Sequence, residues 1–247
     1  MAVLLPIFRL IGDRGLFAEF EDRIDPEVYG RVRNMVHLCR QFLHDRILEV
    51  ITGYRSFLII YDPLVIHPEK LQQEVLRLKK QSEAYALPPS KVIEIPVRYG
   101  GEWGPDLEYV ARSNGLSTDE VVRLHCSCEY MIYMSGFTPG FPMLGGLSPQ
   151  LWTPRRETPR TAVPAGSVGI GNRQTGIYPF SSPGGWQLIG RTDVRLFDPD
   201  RDPMVLYRLG DRIQFRSITA KDPDSRGIAG HGREGLTEYR GGATETL

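Results

Sequence analysis

Three arginines lie close together in the stretch TPRRETPR, at positions 155, 156 and 160, with Glu157 as the single carboxylate among them. A guanidinium is planar and permanently charged, and it can bind a carboxylate or a phosphate through two parallel hydrogen bonds. At least one of these charges therefore lacks a partner within the stretch. The pattern is compatible with an anion clamp that includes Arg155 and Arg160, and equally with a solvated surface turn.

His125 ends a helical pattern and precedes a Gly-rich segment. An imidazole at this point could face a pocket as acid, base or hydrogen-bond donor, or it could cap the end of the helix. The adjacent Cys126 and Cys128 diverge on a helix, and no second Cys/His pair follows them, so we expect no structural metal. With Cys39 the chain has three cysteines, an odd number that gives no disulfide framework and suits a reducing compartment.

The stretch GFTPGFPMLGGL (136–147) contains two Phe, two Pro and four Gly in twelve residues. Gly and Pro recur too often for a helical or a strand period, so the stretch is predicted to be a shaped loop that includes Gly140. Two later stretches, 164–180 and 182–192, also combine closely spaced Gly with polar side chains. Their glycines allow a ligand to approach the backbone, which makes both stretches candidate binding surfaces. The polar side chains that they offer are Gln174, Tyr178, Gln187 and Arg191.

The segment AGSVG (165–169) nearly matches the turn that presents a nucleophilic serine in hydrolases. Ala165 replaces the first Gly of that pattern, and a strand-like segment follows where a helix is needed. A turn that offers the backbone of Gly166 and Ser167 is therefore favoured over a nucleophilic Ser167.

The first third of the chain predicts a small α+β domain over residues 1–87. A hairpin is expected about the Gly12–Gly15 turn, followed by a helix with Asp25 as its N-cap and Pro26 in its first turn. Two β-rich runs about Gly53 and a helix opening at Pro68 complete the order ββαββα.

A Pro-rich break at 86–90 predicts a linker. The next domain, expected over 91–220, contains helices at 105–113 and 117–125, the second opened by a capping box of Ser117 and Glu120. The density of Gly and Pro beyond residue 136 excludes long helices and predicts a mainly-β barrel, closed by a hairpin at 205–218. The polar, Gly-rich residues 221–247 are expected to form a flexible tail.

Charge excludes several classes of partner. Thirty basic residues balance thirty acidic ones, so no global field recruits nucleic acid or an anionic membrane. The two helices at 105–125 resemble a helix-turn-helix, but the second helix carries Asp119 and Glu120 with only Arg123 to balance them, which suits DNA phosphates poorly. Plain helical packing is therefore favoured over DNA binding.

The opening residues lack a signal-peptide pattern, and no apolar run approaches ~18 residues, so a cytoplasmic protein is expected. No Lys follows a Gly, which excludes a Walker A loop.

Four stretches together resemble one known family. GFTPGFPMLGGL, TPRRETPRTAVPAGSVGI, QTGIYPFSSPGGWQLIGRT and RLFDP, in this order, are similar to the 5-oxoprolinase B-subunit family, also called KipI-like or allophanate hydrolase subunit 1. The likeness runs from about residue 6 to 218 and is most specific over 133–198. It implies an α/β domain followed by a cyclophilin-like barrel.

The resemblance also implies partners and a reaction. Such proteins act with a C subunit, which is a second, related barrel protein, and an A subunit, to open 5-oxoproline to glutamate with ATP. We expect the chain to be inactive alone, with ATP and Mg²⁺ used together with the partner subunit. Two alternatives stay open: inhibition of a sensor histidine kinase, or a role as a subunit of the carboxyltransferase type that acts on urea-like or allophanate-like amides.

The family pattern can be placed on this sequence residue by residue. Its match to GPDL adds Asp106 to the candidates, with His125 or Asp106 for proton transfer and Arg155, Arg160 and Arg191 for anionic groups. Gln174 and Gln187 are expected to orient an amide. Phe137 and Phe141 are interpreted as apolar walls of a pocket, with structural packing as the alternative. Met143 stands where the family usually has Tyr, and Trp103 where Phe is common.

Overall fold

A computed structural model describes residues 5–23, 25–81 and 89–219. These residues group into two compact units. The first comprises the chain up to Lys91 together with Met131–Ser135 and Arg208–Arg212, and the second comprises the rest. The predicted linker begins outside the described residues and the predicted tail lies entirely outside them, so the proposed domain boundaries stay predictions.

The first unit contains a four-stranded antiparallel sheet of strand order β1-β2-β4-β3. Both hairpins and both helices expected from the sequence are present. Their bounds, in chain order, are β1 (Ile7–Ile11), β2 (Gly15–Glu19), α1 (Pro26–Phe42), β3 (Ile47–Thr52), β4 (Ser56–Tyr61) and α2 (Pro68–Gln81).

Helix α1 begins as its sequence predicts. The Asp25 carboxylate accepts a hydrogen bond from the Val28 backbone N–H at 2.9 Å, and Pro26 occupies the first turn, where a missing N–H costs nothing. Residues at three-to-four spacing from Val28 to Cys39 bury one face of the helix in the core of the unit. Burial raises the pKa of the Cys39 thiol to about 12.

The rest of the described chain contains two short helices and nine strands. Seven of these strands form a closed barrel in the order β10-β7-β6-β13-β5-β12-β9, and β11 and β8 form a two-stranded ribbon. The prediction of a barrel with helices is thereby confirmed. The bounds are β5 (Val92–Tyr99), α3 (Leu107–Ser113), α4 (Thr118–Cys126), β6 (Glu129–Ser135), β7 (Pro142–Gly145), β8 (Arg160–Val163), β9 (Ser167–Gly171), β10 (Gln174–Ile177), β11 (Ser182–Gly184), β12 (Gln187–Arg191) and β13 (Arg212–Ser217).

The capping box at the start of α4 is present. The Ser117 hydroxyl accepts a hydrogen bond from the Glu120 backbone N–H, and the Glu120 carboxylate accepts one from the Ser117 backbone N–H. Two of the N–H groups that an isolated helix start leaves unpaired are thereby satisfied.

The predicted closing hairpin at 205–218 is wrong. Only its second half forms a strand, β13, which lies between β6 and β5 in the barrel, while Val205 forms an isolated bridge with Phe197. The Gly-Asp turn within this run does exist, with Gly210 at φ +88° and the Asp211 backbone N–H bonded to the Arg208 carbonyl. A turn fixes a change of direction, but it does not select which strand becomes the partner.

Candidate functional site

The second unit contains a cavity of about 350 Å³ at the Gly-rich loops. Four aromatic side chains line it, from Phe137, Phe141, Tyr178 and Trp186. Among its lining residues Arg155 supplies the only charge, and the lining is otherwise largely apolar. A small apolar cavity with one cation can bury a compact organic anion.

The aromatic rings pack edge to face. The Phe141 ring lies 5.4 Å from that of Tyr178 and 5.6 Å from that of Trp186, centroid to centroid, at interplanar angles of 88° and 81°. Phe137 meets Phe141 at 5.8 Å in the same manner. Edge-to-face ring pairs stabilise the fold by more than their buried area alone provides, so these contacts help to hold the walls of the cavity in place.

Two glycines give these rings their room. A Cβ at Gly171 would overlap the Trp186 indole, and a Cβ at Gly184 would overlap the Tyr178 ring. Neither position can carry a side chain unless an aromatic wall moves. The Gly-rich sequence of this region is therefore a packing requirement of the cavity.

The predicted loop is confirmed only for residues 136–141, because Pro142–Gly145 form strand β7. This 136–141 loop supplies the exposed edge of the cavity. Phe137 has φ +68°, which is unusual for a bulky residue, and its side chain is 69% exposed. Gly140, at φ +73°, is buried, and a Cβ there would overlap Phe197. The loop is closed by a hydrogen bond from the Gly136 backbone N–H to the Phe141 carbonyl at 3.2 Å. Phe137 is thereby held outward while Phe141 is held inward.

Arg155 extends over an aromatic wall. Its Cζ atom lies 5.9 Å from the centroid of the Trp186 ring. Within the described part of the chain the Arg155 guanidinium has no carboxylate partner. Burial raises the pKa of the Tyr178 hydroxyl, while a backbone hydrogen bond from Trp186 and the charges of Arg155 and Arg160 oppose this shift. The cavity thus presents one unpaired cation to an anionic ligand.

Arg160 and the buried Asp106 form a partly buried ion pair next to the Trp186 backbone. The Arg160 guanidinium donates to Asp106 Oδ1 at 2.9 Å and to the Trp186 carbonyl at 3.4 Å. The other oxygen of Asp106 accepts a hydrogen bond from the Leu188 backbone N–H at 2.7 Å. Arg156 approaches Oδ1 at 3.5 Å. These contacts fix the start of β12 relative to the end of the loop that leads into α3.

His125 is fully buried in a hydrogen-bond network. Its Nδ1 lies 2.7 Å from the Tyr99 hydroxyl, and its Nε2 lies 2.8 Å from the Thr175 hydroxyl, which donates its own proton to the Gly169 carbonyl. The Thr175 oxygen must therefore accept from Nε2–H, so the ring is neutral with its proton on Nε2 and Nδ1 accepts from Tyr99. Burial lowers the pKa of His125 to about 3. The ring also stacks on Phe215 at 4.4 Å.

The network continues to Cys126, whose thiol donates to the Tyr99 hydroxyl at 3.5 Å. Burial raises the pKa of this thiol, and burial likewise raises the pKa of Tyr99 well above its usual range. Each donor in the series Cys126, Tyr99, His125 and Thr175 thus has one defined acceptor.

Comparison with known proteins decides the family. Residues 6–207 match the family model of the carboxyltransferase domain, subdomain C and D. The chain belongs to this family. It is 40% identical to the B subunit of 5-oxoprolinase from Bacillus subtilis, covering 86% of this chain and 92% of that protein, and 47% identical to the B subunit of 5-oxoprolinase from Escherichia coli O157:H7, covering 83% and 93%.

Solved structures support the same relationship. The crystal structure of TTHA0988 superposes with a TM-score of 0.73 at 36% identity, over 86% of this chain and 41% of that one. PH0987 from Pyrococcus horikoshii covers 87% of this chain and 99% of its own, at 40% identity and a TM-score of 0.52. The Kluyveromyces lactis urea carboxylase, at 23% identity and a TM-score of 0.68, shares the fold.

The structure brings together some of the residues that the family pattern singled out. The cavity is lined by Phe137, Phe141, Arg155, Gln174 and Tyr178. Trp186 also lines the cavity, and it lies in the 182–192 stretch that the sequence identified as a candidate binding surface. Met143 lines it as well, although the sequence marked this position only as a departure from the usual Tyr.

The remaining candidates lie elsewhere in the second unit. Asp106, Arg160 and His125 do not line the cavity, and Gln187 is buried with its amide donating to the Pro154 carbonyl at 3.0 Å. Arg191 lies over the Trp103 ring at 5.2 Å.

Gly166 and Ser167 occupy a tight turn and the start of β9. Gly166, at φ +77°, donates through its backbone N–H to the Tyr178 carbonyl at 2.7 Å. Ser167 is buried, and its hydroxyl has no hydrogen-bond partner among the described residues.

The described residues lack two kinds of feature. They contain no group of three or more His, Cys, Asp and Glu side chains that could hold a metal ion. No helix in the ranges described above is both long and apolar enough to cross a lipid bilayer.

Proposed function

We propose that this chain is the B subunit of an ATP-dependent 5-oxoprolinase, which opens the lactam of 5-oxoproline to give glutamate. The B subunits of B. subtilis and E. coli O157:H7 are its relatives at 40% and 47% identity over nearly their whole length. We further propose that the closed barrel is cyclophilin-like and that the chain works in the cytoplasm. Its partners in this proposal are a second barrel protein that resembles the C subunit and a protein that resembles the A subunit.

The observation that carries the proposal is an unpaired guanidinium in an aromatic cavity. 5-Oxoproline has one carboxylate, a compact ring with apolar methylene groups, and a lactam with one N–H and one C=O. Arg155 can bind the carboxylate, and the faces of Phe141 and Trp186 can enclose the ring. The Gln174 side chain, also in the lining, can orient the lactam by hydrogen bonding to it.

Opening a lactam requires activation of a stable amide. Phosphorylation of its carbonyl oxygen by ATP supplies that activation, and water then attacks the activated carbon. The residues that line the cavity provide one cation, which fits a single carboxylate better than a triphosphate. We therefore place the binding of ATP, with Mg²⁺, on a partner subunit, in keeping with the absence of a Walker A sequence in this chain.

The family pattern suggested His125 or Asp106 for proton transfer. Their surroundings favour a positioning role for both. His125 holds Thr175 on β10, one residue from Gln174, and Asp106 with Arg160 holds the backbone on both sides of Gln187. In this assignment a partner subunit supplies the general base, and neutral His125 keeps β10 in register.

Glutamate release from 5-oxoproline and ATP tests the proposal, using this chain alone, with its second-barrel partner, and with both partners. Activity in the complete mixture alone is the expected result. Activity that depends on bicarbonate and a biotinylated protein would instead support the carboxyltransferase-type alternative. Only distant relatives favour that alternative, namely fungal urea amidolyases at 25–26% identity. Inhibition of histidine kinase autophosphorylation, with no turnover by the complete mixture, would replace the proposal by a binding function.

A further inference from the structure

A second cavity, of about 180 Å³, lies within the first unit and has an unusual lining. Helix α1 contributes residues 33, 36, 37 and 40, two pairs related by a step of four residues (33/37 and 36/40), so they share one face of the helix. The other walls come from β3, from the residues just before β5, and from the turn before β13. Its cationic lining residues are Arg33, Arg40, Lys91 and Arg208, with His37 beside them.

One carboxylate, that of Asp211, faces these four cations. Asp211 Oδ1 accepts a hydrogen bond from the Lys91 backbone N–H at 3.0 Å, and Oδ2 accepts one from the Arg208 backbone N–H at 2.8 Å. The carboxylate is thus bonded to the main chain. Within the described ranges no ion pair joins Arg33 or Lys91 to any carboxylate.

The chain gives these cations fixed positions. The Arg40 guanidinium donates to the Val50 carbonyl at 2.8 Å, which ties it to β3. The Arg33 guanidinium occupies the space where a side chain at position 210 would begin, because a Cβ on Gly210 would overlap it. Gly210 also has φ +88°, a conformation that favours glycine. The turn at Gly210 therefore leaves room for the Arg33 guanidinium, which a larger residue at position 210 would displace.

A polar group in the lining is also unsatisfied. Thr52 is 8% exposed and lines the cavity from the end of β3. Its hydroxyl is buried and has no hydrogen-bond partner among the described residues. Buried hydroxyl groups are nearly always bonded, so the Thr52 hydroxyl can donate to an acceptor that binds beside the cations.

We propose that this cavity is an anion site that binds the phosphate group of a small molecule. Arginine and lysine residues from separate elements line it, and their charged groups can bind phosphate through short, charge-assisted hydrogen bonds. Its volume is below the ~300–1,000 Å³ typical of sites for drug-sized ligands, so a phosphate group or a small phosphorylated metabolite fits better than a whole nucleotide. The site is separate from the aromatic cavity and does not depend on the proposed lactam chemistry.

Calorimetric titration of the full chain with sodium phosphate at low ionic strength tests the site, with sodium chloride at matched ionic strength as the blank. Saturable binding is expected, and the Arg33→Gln and Lys91→Gln variants should each weaken it by ~10-fold or more. Arg77→Gln is the matched control, because it removes the same charge from the exposed face of α2, and it should keep the wild-type affinity.

Thr52→Val adds an independent test. It removes an unsatisfied hydroxyl, so the unliganded protein should be as stable as wild type, while phosphate binding should weaken several-fold. Tighter binding of ribose 5-phosphate than of inorganic phosphate would identify a phosphorylated metabolite as the ligand class. The proposal is overturned if phosphate gives no saturable heat, if glutamate binds equally well, or if folded Arg33→Gln and Lys91→Gln proteins both bind like wild type.

Discussion

Arg160 and Asp106 are 54 positions apart in the sequence, yet their side chains form a hydrogen-bonded ion pair at 2.9 Å that is largely shielded from solvent. The Asp106 side chain is 9% exposed, and its second oxygen binds a backbone N–H of β12. The pair therefore joins the segment before α3 to the start of β12, which directly follows Trp186 in the wall of the aromatic cavity.

Removal of Arg160 should destabilise the second unit. Arg160→Ala leaves the buried Asp106 carboxylate with the longer Arg156 contact as its only ion pair, and we expect the free energy of unfolding to fall by ~2 kcal/mol. Urea unfolding followed by Trp fluorescence measures it, because all three tryptophans belong to the second unit. Arg112→Ala breaks an exposed pair with Glu108 at 3.7 Å and should change little. Equal losses in the two variants would contradict a structural role for the buried pair.

Arg155 should act on the substrate. In the reconstituted complex, Arg155→Gln should raise KM for 5-oxoproline by ~10-fold or more, because a charge-assisted hydrogen bond to the carboxylate is lost. Arg173→Gln is a close control, since Arg173 also lies over an indole, that of Trp152 at 4.6 Å, but does not line the cavity. An unchanged KM in Arg155→Gln would remove Arg155 from the site.

The two phenylalanines of the loop before β7, Phe137 and Phe141, should behave differently. Phe141 is 3% exposed and contacts three rings, so Phe141→Ala should lower the free energy of unfolding by ~3 kcal/mol or more. Phe137 is largely exposed, and Phe137→Ala should cost about 1 kcal/mol or less. Turnover per folded complex should nevertheless fall in Phe137→Ala, because it shortens the exposed wall. Identical stability losses in the two variants would refute this division.

The buried imidazole predicts sensitivity to acid. The folded state holds the pKa of His125 near 3, whereas an unfolded histidine titrates near 6.5. Below pH 6.5 the unfolded chain gains a proton that the folded chain excludes, so stability is lost as the pH falls from 6.5 towards 3, by up to ~1.4 kcal/mol per pH unit from this group.

The pH dependence of urea unfolding, followed by Trp fluorescence between pH 7.5 and 5, measures this loss. His125→Gln should flatten the profile, even if the variant is less stable at neutral pH. His44→Gln alters an exposed ring and should keep the wild-type slope. A slope that is the same in wild type and His125→Gln would show that other groups cause the acid sensitivity.

Local signals in the sequence were sufficient for the helix starts and the short hairpins. The caps at Asp25 and at Ser117 with Glu120 involve residues three positions apart, and the turn about Gly53 joins neighbouring strands. These features depend on local backbone geometry and can be read from a short window.

Contacts between distant segments could not be read in this way. His125 is titratable and precedes a Gly-rich stretch, but its burial depends on Tyr99 and Thr175, 26 and 50 residues away. The partners of β13 were missed for the same reason, and so was the group of cations at Arg33, Lys91 and Arg208, which belong to three separate segments. A single sequence states the residue types but not which of them converge.

The burial that protects two of the three thiols has a practical consequence for spectroscopy. Thiolates, not thiols, react with maleimide dyes, and at neutral pH only ~1 in 10⁵ Cys39 side chains is ionised if its pKa is about 12. Burial also raises the pKa of Cys126, which lowers the fraction of its thiolate at neutral pH. Cys128 is partly exposed and directly precedes β6, with Ser127 Oγ at 3.8 Å from its sulfur. The natural chain thus offers a preferred labelling position in the second unit, and a dye there can report the docking of a partner protein without an engineered cysteine.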